Sequence, residues 1–451
     1  MIRKYSSVIL TLLCGVFLSI STGLYNNFPI TYPDSAAYLA SGIENSLPRD
    51  RPIFYGWFLR HTHMMDNLFF SIIAQGILAS VVLFLFFHYF SRYHNKLIHF
   101  LLSVFVLCCF TGYSYFVSFL MPDIFTSIFL ISLALIFFAD LKKAHLWFLL
   151  PVCVYATIVH NSHFPLFLLC LLFLGGRYVI WNKSNERPYF LKKWILSFSV
   201  FITAVVITFV VNFAFTQRLF LSQNGHVFLT SRLHEMGILD SFLNEKCSQA
   251  NYALCPYKDS MTADFIWDSK SPFYKTGGWE TSGPAYNRMI HDIMWNGKYL
   301  KRFVSASFSS TLSQLASFEI EPQRPNILSY INERFPALRN AQSISFQNRG
   351  NGRLSFDKLN ERQNIFVFGS FAMLVLLLLF YKKWTGRHRE LVVLFLWAML
   401  FNAFICSTFS TVLTRYQGRV IFLVPLVFLL LLPSLDFRSF FRPPVEMTKD
   451  E

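Results

Sequence analysis

Long apolar runs, recurring about ten times, constrain this chain more than any other feature of its sequence. A helix needs roughly 16–22 apolar residues to cross the hydrocarbon core of a bilayer, where every backbone amide must be satisfied inside the segment. Runs of that size lie at 7–24, 67–90, 97–119, 124–139, 146–160, 164–181, 194–215, 364–381, 391–409 and 420–435. The expected fold is all-α and polytopic, with about ten transmembrane helices. Composition agrees: 54% of the 451 residues are apolar and only 14% are charged, whereas about a quarter is usual in a soluble protein.

The net charge of +15 raises the question of a nucleic-acid partner, and the placement of the basic residues answers it. Arg92, Lys96, Lys142, Lys143, Lys183, Arg187, Lys192, Lys193, Lys382, Lys383, Arg387, Arg389, Arg438 and Arg442 fall in alternate gaps between runs and in the tail. The short gaps on the opposite side hold few: Arg49, Arg51 and Arg60 in the first, Arg415 and Arg419 in the last. That asymmetry is the positive-inside signal of membrane topology, not a nucleic-acid surface. Both termini are expected in the cytoplasm, with Val8 to Leu24 as a retained first span behind Arg3 and Lys4, since no small-x-small cleavage site ends it.

Three units follow. Residues 1–215 form an N-terminal transmembrane module with a first extracytoplasmic loop at 25–66. Residues 216–362 are too long for a bare loop and are expected to fold as an extracytoplasmic cap. Residues 363–451 form a C-terminal transmembrane module and a cytoplasmic tail. Within the cap, KTGGWETSGP and RGNGR are turn signals, and Tyr286 to Phe308 has the apolar spacing of an amphipathic helix. Six cysteines sit in apolar runs, where they behave as small hydrophobes. Cys247 and Cys255 stand apart in the polar stretch CSQANYALCPY, and a disulfide is expected there if that segment faces an oxidising compartment.

Carboxylates beside apolar spans are costly to desolvate, so each needs a partner or a task. Asp34, in ITYPDSAAYLASG, follows the first span, and Tyr38 lies one helical turn further on the same face. Asp123, in SFLMPDIFTSIFL, sits at the mouth of the fourth span at the same membrane level. Each follows a proline and equally suits a plain helix cap. Two carboxylates facing one cleft could divide the work of general base and acceptor or cation holder. His160 and His163, in VHNSHFP, could share a face for phosphate or metal contact, or simply make a polar interfacial hairpin; His61 and His63 carry less signal. Arg415 and Arg419, in TRYQGR, and Arg51, in RDRPIFYGWFLR, run against the charge bias outside and suit an anion such as a lipid phosphate, or act as snorkelling anchors. No dinucleotide fingerprint, P-loop, D-x-D pair or hydrolase elbow occurs. The chemistry would therefore draw on an activated lipid or on a gradient.

These pieces together resemble the GT-C superfamily of membrane glycosyltransferases, including the mannosyltransferases that use dolichyl-phosphate mannose. The matching segments are YPDSAAYLASG after the first span, RPIFYGWFL, MPDIFTSIFL and TRYQGR. RPIFYGWF is similar to the Arg-Pro-Pro-x-Tyr segment of bacterial members, with Ile53 in place of the second proline and Tyr55 as the tyrosine. The resemblance covers the N-terminal third and, loosely, the last hundred residues; 216–362 matches nothing in it. It implies a sugar on polyprenyl phosphate as donor, taken from the lipid, and a glycan, lipid or protein acceptor outside a bacterial inner (plasma) membrane. It also implies Asp34 and Asp123 as catalytic carboxylates. Tyr38, Arg51, Tyr55, His160, His163, Arg415 and Arg419 become candidate substrate contacts. No cofactor is demanded, and a divalent cation, magnesium or manganese, would fall to Asp123. Two rival readings stand: a transporter or flippase of a lipid-linked saccharide, which would carry charged or broken helices near the bilayer midplane, and a glycan polymerase or ligase.

Overall fold

The computed structural model describes residues 2–434 except 64–66, 182–186, 322–329, 331–332, 334–335, 350–353 and 381–385. Lys183, Lys382, Lys383, Arg438, Arg442 and most of the RGNGR turn lie outside the described residues. Those that are described form helices and no strand; one isolated bridge pairs Ile30 with Phe119.

In chain order the helices are α1 (Ile2–Ser19), α2 (Ser21–Tyr25), α3 (Pro33–Glu44), α4 (Phe54–Thr62), α5 (Phe69–Phe90), α6 (Lys96–Phe110), α7 (Tyr113–Val117) and α8 (Asp123–Phe138). Next come α9 (Lys143–Ile158), α10 (His163–Trp181), α11 (Arg187–Thr216), α12 (Gly225–Glu235) and α13 (Ile238–Lys246), then α14 (Pro272–Lys275), α15 (Gly278–Thr281), α16 (Gly283–Met294) and α17 (Gly297–Ala316). The last are α18 (Pro336–Ile344), α19 (Phe346–Arg349), α20 (Asp357–Phe380), α21 (Gly386–Phe409), α22 (Thr414–Ile421) and α23 (Leu423–Leu431). Among the described residues, five stretches are long and apolar enough to cross a membrane: Phe69–Phe90, Pro188–Thr216, Asp357–Leu379, Gly386–Phe409 and Thr414–Leu431. Shorter apolar helices occupy the remaining runs.

The main core is built around α8, all of whose side chains are buried among α5, α9, α11, α21 and α22. Helix α11 instead turns Ile195, Phe198, Ile202, Val206, Val210 and Phe213 outward. Such a surface, largely apolar, fits a chain solvated by lipid rather than water.

Where the helices break, local chemistry explains it. The expected run 97–119 is two helices, because Thr111 turns to an extended conformation and Gly112 donates its N–H to Gln363 Oε1 at 2.6 Å. The last run divides into α22 and α23 just before Pro425, which has no N–H to bond the carbonyl of Ile421. The amphipathic stretch 286–308 also breaks, into α16 and α17, where the Asn296 side chain caps α17 by accepting from the Lys298 N–H.

Segment 216–362 divides its side chains between two cores. Val227, Leu239, Phe242, Phe265, Phe273, Tyr286 and Met289 pack in a lobe of their own, with Cys247 and Cys255 joined by a disulfide beside it. Phe318, Ile320, Leu354 and Phe356 join the main core. Gln347 of α19 ties its end of the segment to the start of the chain, accepting from Thr31 N–H at 3.0 Å and donating to Thr31 O at 2.7 Å.

Helices α3 and α4 cross in near backbone contact. A Cβ on Gly42 would stand 2.1 Å from the Gly56 carbonyl oxygen, so only glycine fits. Since the obstacle is backbone, Gly42→Ala must push the helices apart, at a cost of about 1–3 kcal/mol. A matching drop in thermal midpoint, measured in detergent, checks this; an unchanged midpoint would contradict the crossing.

Candidate functional site

The α3–α4 crossing sets the first half of the site. Tyr32 is the N-cap of α3 and donates its N–H to Ser35 Oγ, which in turn donates to Leu120 O at 2.9 Å. Pro33 occupies the first turn, where its missing N–H costs nothing. Asp34 is thereby released from capping, and its carboxylate points at two arginines. Oδ1 accepts from Arg51 Nη2 at 3.1 Å and Oδ2 from Arg415 Nη1 at 3.4 Å. Arg51 is held in turn by Asp50, Nε to Oδ2 at 2.9 Å, and lies 4.8 Å over the Tyr38 ring.

The second half comes from α8 and α22. Asp123 opens α8 with its side chain 2% exposed, and two guanidiniums flank it: Arg415 Nε and Arg419 Nη1, each 3.8 Å from Oδ1. That separation is an ion pair without a hydrogen bond. Asp123 Oδ1, Arg415 Nε, and Arg419 Nε and Nη1 are buried polar atoms with no hydrogen-bond partner among the described residues. Arg419 is fully buried, and its Nη2 donates to Ser162 Oγ at 3.0 Å and Asn402 Oδ1 at 3.1 Å. Arg415 lies 4.4 Å over Tyr32, and Tyr416 receives both Arg415 and Arg419 at 5.3 and 5.4 Å.

The result is an alternating chain, Arg51–Asp34–Arg415–Asp123–Arg419, drawn from four parts of the sequence. Burial pushes the Asp34 carboxyl upward, but Arg51 and Arg415 outweigh it and hold the group below its ordinary value. Asp34 also keeps a quarter of its side chain accessible. A cavity of about 20 Å³ adjoins the chain, lined by Tyr32, Tyr115, Glu319, Glu321 and Arg415.

The other predicted residues lie around this chain in different states. Tyr38 is buried beneath Arg51. Tyr55 is fully buried behind it, donating to Gln75 Oε1 at 2.6 Å with its ring 5.0 Å from that of Tyr38. His160 Nδ1 bonds Ser162 Oγ at 2.8 Å, the same hydroxyl that accepts from Arg419. His163 has both nitrogens engaged inside the fold: Nδ1–H donates to Ala156 O at 2.6 Å and Nε2 accepts from Thr126 Oγ1 at 2.7 Å, which leaves no ring nitrogen free for a metal. No cluster of three or more His, Cys, Asp or Glu that could hold a metal occurs among the described residues. His61 bonds Trp57 O and points away, at the exposed end of α4.

Sequence reasoning missed Tyr32, Asp50, Ser162, Asn402, Tyr416, Glu319 and Glu321. Asp50, Ser162 and Tyr416 each adjoin a residue it did single out, and Tyr32 lies two before Asp34; Asn402, Glu319 and Glu321 gave no local signal. No protein-family model matches the sequence, and neither a curated protein nor a solved structure is significantly similar to it.

Proposed function

We propose that this protein is a ten-span membrane glycosyltransferase that moves a sugar from polyprenyl phosphate to an acceptor outside a bacterial plasma membrane. The observation that carries the reading is the alternating arginine–aspartate chain at one end of an apolar bundle. It supplies both charges the reaction needs. The acceptor hydroxyl attacks the anomeric carbon, the bond from that carbon to the phosphate oxygen breaks, and the electron pair leaves with polyprenyl phosphate. Asp34 takes the hydroxyl proton. Arg415, with Arg51, neutralises the departing phosphate.

Donor binding and activation of the base follow in order. In the free protein Asp34 is a weak base because two guanidiniums hold it. A donor phosphate competes for those guanidiniums, and as they turn to it the carboxylate regains basicity. The base thus becomes competent when the donor is seated. Asp123, whose nearest charged neighbours are Arg415 and Arg419, acts by positioning them.

A lipid-linked saccharide transporter is the reading from another class, and it needs charge along a path through the bilayer. Here the alternating chain gathers where α3, α8 and α22 begin, and the ion pairs Arg177–Glu390 and Asp140–Arg387 lie at the other end of the helices, a placement that favours chemistry at the interface. Arg415→Gln separates the two: in purified protein given a synthetic polyprenyl-phosphate sugar, kcat should fall by ~10² while KM for the donor rises. Sugar transfer at the wild-type rate would overturn the assignment, and so would donor movement across vesicles with no transfer by the wild type.

A further inference from the structure

Helix α17 is amphipathic in the reverse of the usual sense. Beyond Tyr299 and Phe303, which pack in the lobe's apolar core, its inner side carries Ser307, Thr311 and Gln314, all buried, and its outer side carries Leu300, Val304, Phe308 and Leu312, all exposed. Each of the four follows the last by four residues, so they line one stripe along the helix. Thr311 and Gln314 on the inner side are satisfied by protein, while the Ser307 hydroxyl is buried with no hydrogen-bond partner among the described residues. Thr311 Oγ1 lies 3.4 Å from Ser407 Oγ of α21, and Gln314 both donates to Leu413 O at 2.8 Å and accepts from Leu413 N–H at 3.0 Å. Ser310 Oγ accepts from Arg232 Nη2. A helix of a water-facing lobe would turn these faces round.

The stripe continues an apolar surface. Helix α17 packs along α21, which is long and apolar enough to cross a membrane. Phe404 of α21 is exposed, and lies about 60° around that helix from Ser407 at 100° per residue. Phe409, also exposed, touches Phe404 with ring centroids 6.3 Å apart. At the other end of α17, Lys301 and Arg302 are exposed, and Trp295, just before the helix, is 80% exposed. Basic residues and a tryptophan at one end of an apolar stripe are the composition of a headgroup-level anchor.

From this we infer that α17 lies in the bilayer interface, its Leu300–Leu312 stripe against acyl chains and Lys301 and Arg302 at anionic headgroups. The lobe of residues 225–316 is then seated on the membrane beside α21. This holds whether or not the protein transfers a sugar.

Spin labels test it in the full chain, reconstituted in bilayers of phosphatidylethanolamine and phosphatidylglycerol, with the free cysteines replaced and the Cys247–Cys255 pair kept. Labels go one at a time at Leu300→Cys, Val304→Cys, Phe308→Cys and Leu312→Cys, and at Ser305→Cys, Ser309→Cys and Ser313→Cys on the exposed polar side. The expected result is a severalfold preference for collision with oxygen over a water-soluble nickel chelate on the apolar stripe, and the reverse on the serines. Equal access of nickel to both sets overturns the proposal in favour of an aqueous helix. Shielding of the stripe from both reagents overturns it in favour of a protein occupant such as a second copy. A variant that fails to fold is replaced by the unsubstituted protein with a photoactivatable phospholipid, where adducts within 297–316 are expected and their absence overturns the proposal.

Discussion

Asp34→Asn is expected to lower the turnover of sugar transfer by about 10²–10⁴-fold, the usual share of a general base. The replacement keeps the size of the side chain and removes its charge. Arg51 and Arg415 then face the donor phosphate without a competing carboxylate, so KM for the donor should stay level or fall while kcat collapses. A purely structural role would not divide the two constants in that way. Asp50→Asn, which touches Arg51 alone among the site's arginines, should cost far less. The pH profile carries the same claim with a definite sign. Transfer needs the deprotonated carboxylate, so activity is lost as pH falls through its titration. In the free protein that titration lies below the ordinary carboxylate value, held there by Arg51 and Arg415 against the effect of burial. The acid limb of kcat/KM should therefore lie at lower pH than the acid limb of kcat, measured when the phosphate has drawn the guanidiniums away. Undiminished transfer by Asp34→Asn, or acid limbs in the opposite order, would remove Asp34 as the base.

The largest effect on stability is expected at Asp123. Its side chain is 2% exposed and lies between Arg415 and Arg419, the latter fully buried. Asp123→Asn would leave two buried guanidiniums facing each other with no counter-charge from α8, a loss on the order of 3 kcal/mol. The thermal midpoint in detergent reads it directly. Removing one of the guanidiniums as well should restore part of the loss: Asp123→Asn with Arg419→Met is expected to melt above Asp123→Asn alone. If Asp123→Asn melts with the wild type, the central ion pairs contribute nothing, and the alternating chain is an accident of packing.

How much of this could be read in advance differs from residue to residue. Asp34 and Asp123 stood out because a carboxylate beside an apolar run is expensive and calls for a partner, and Arg415 and Arg419 because they run against the charge bias outside. Which partner each takes was hidden, since Asp34 reaches an arginine from the far end of the chain. Tyr38, from its spacing to Asp34, and Tyr55, from the family resemblance, were candidate substrate contacts, yet both are buried beside the α3–α4 crossing. His163 resembled a ligand until Thr126 and Ala156 took its two nitrogens. The stretch 286–308 had the periodicity of one amphipathic helix. Neither its break at Asn296 nor the direction of its apolar face could be read from periodicity, which says that a stripe exists and not what it meets.

By itself, the sequence determined that this chain belongs in a membrane and roughly where its apolar helices lie. That follows from a one-dimensional property, the length of uninterrupted apolar chain, which each segment carries regardless of its neighbours. Only the tertiary structure decided which acid meets which arginine, which tyrosines are buried and which side of α17 looks outward. Those outcomes depend on distances of a few ångströms between segments far apart in the chain, and Coulomb and hydrogen-bond energies at that range are set by packing.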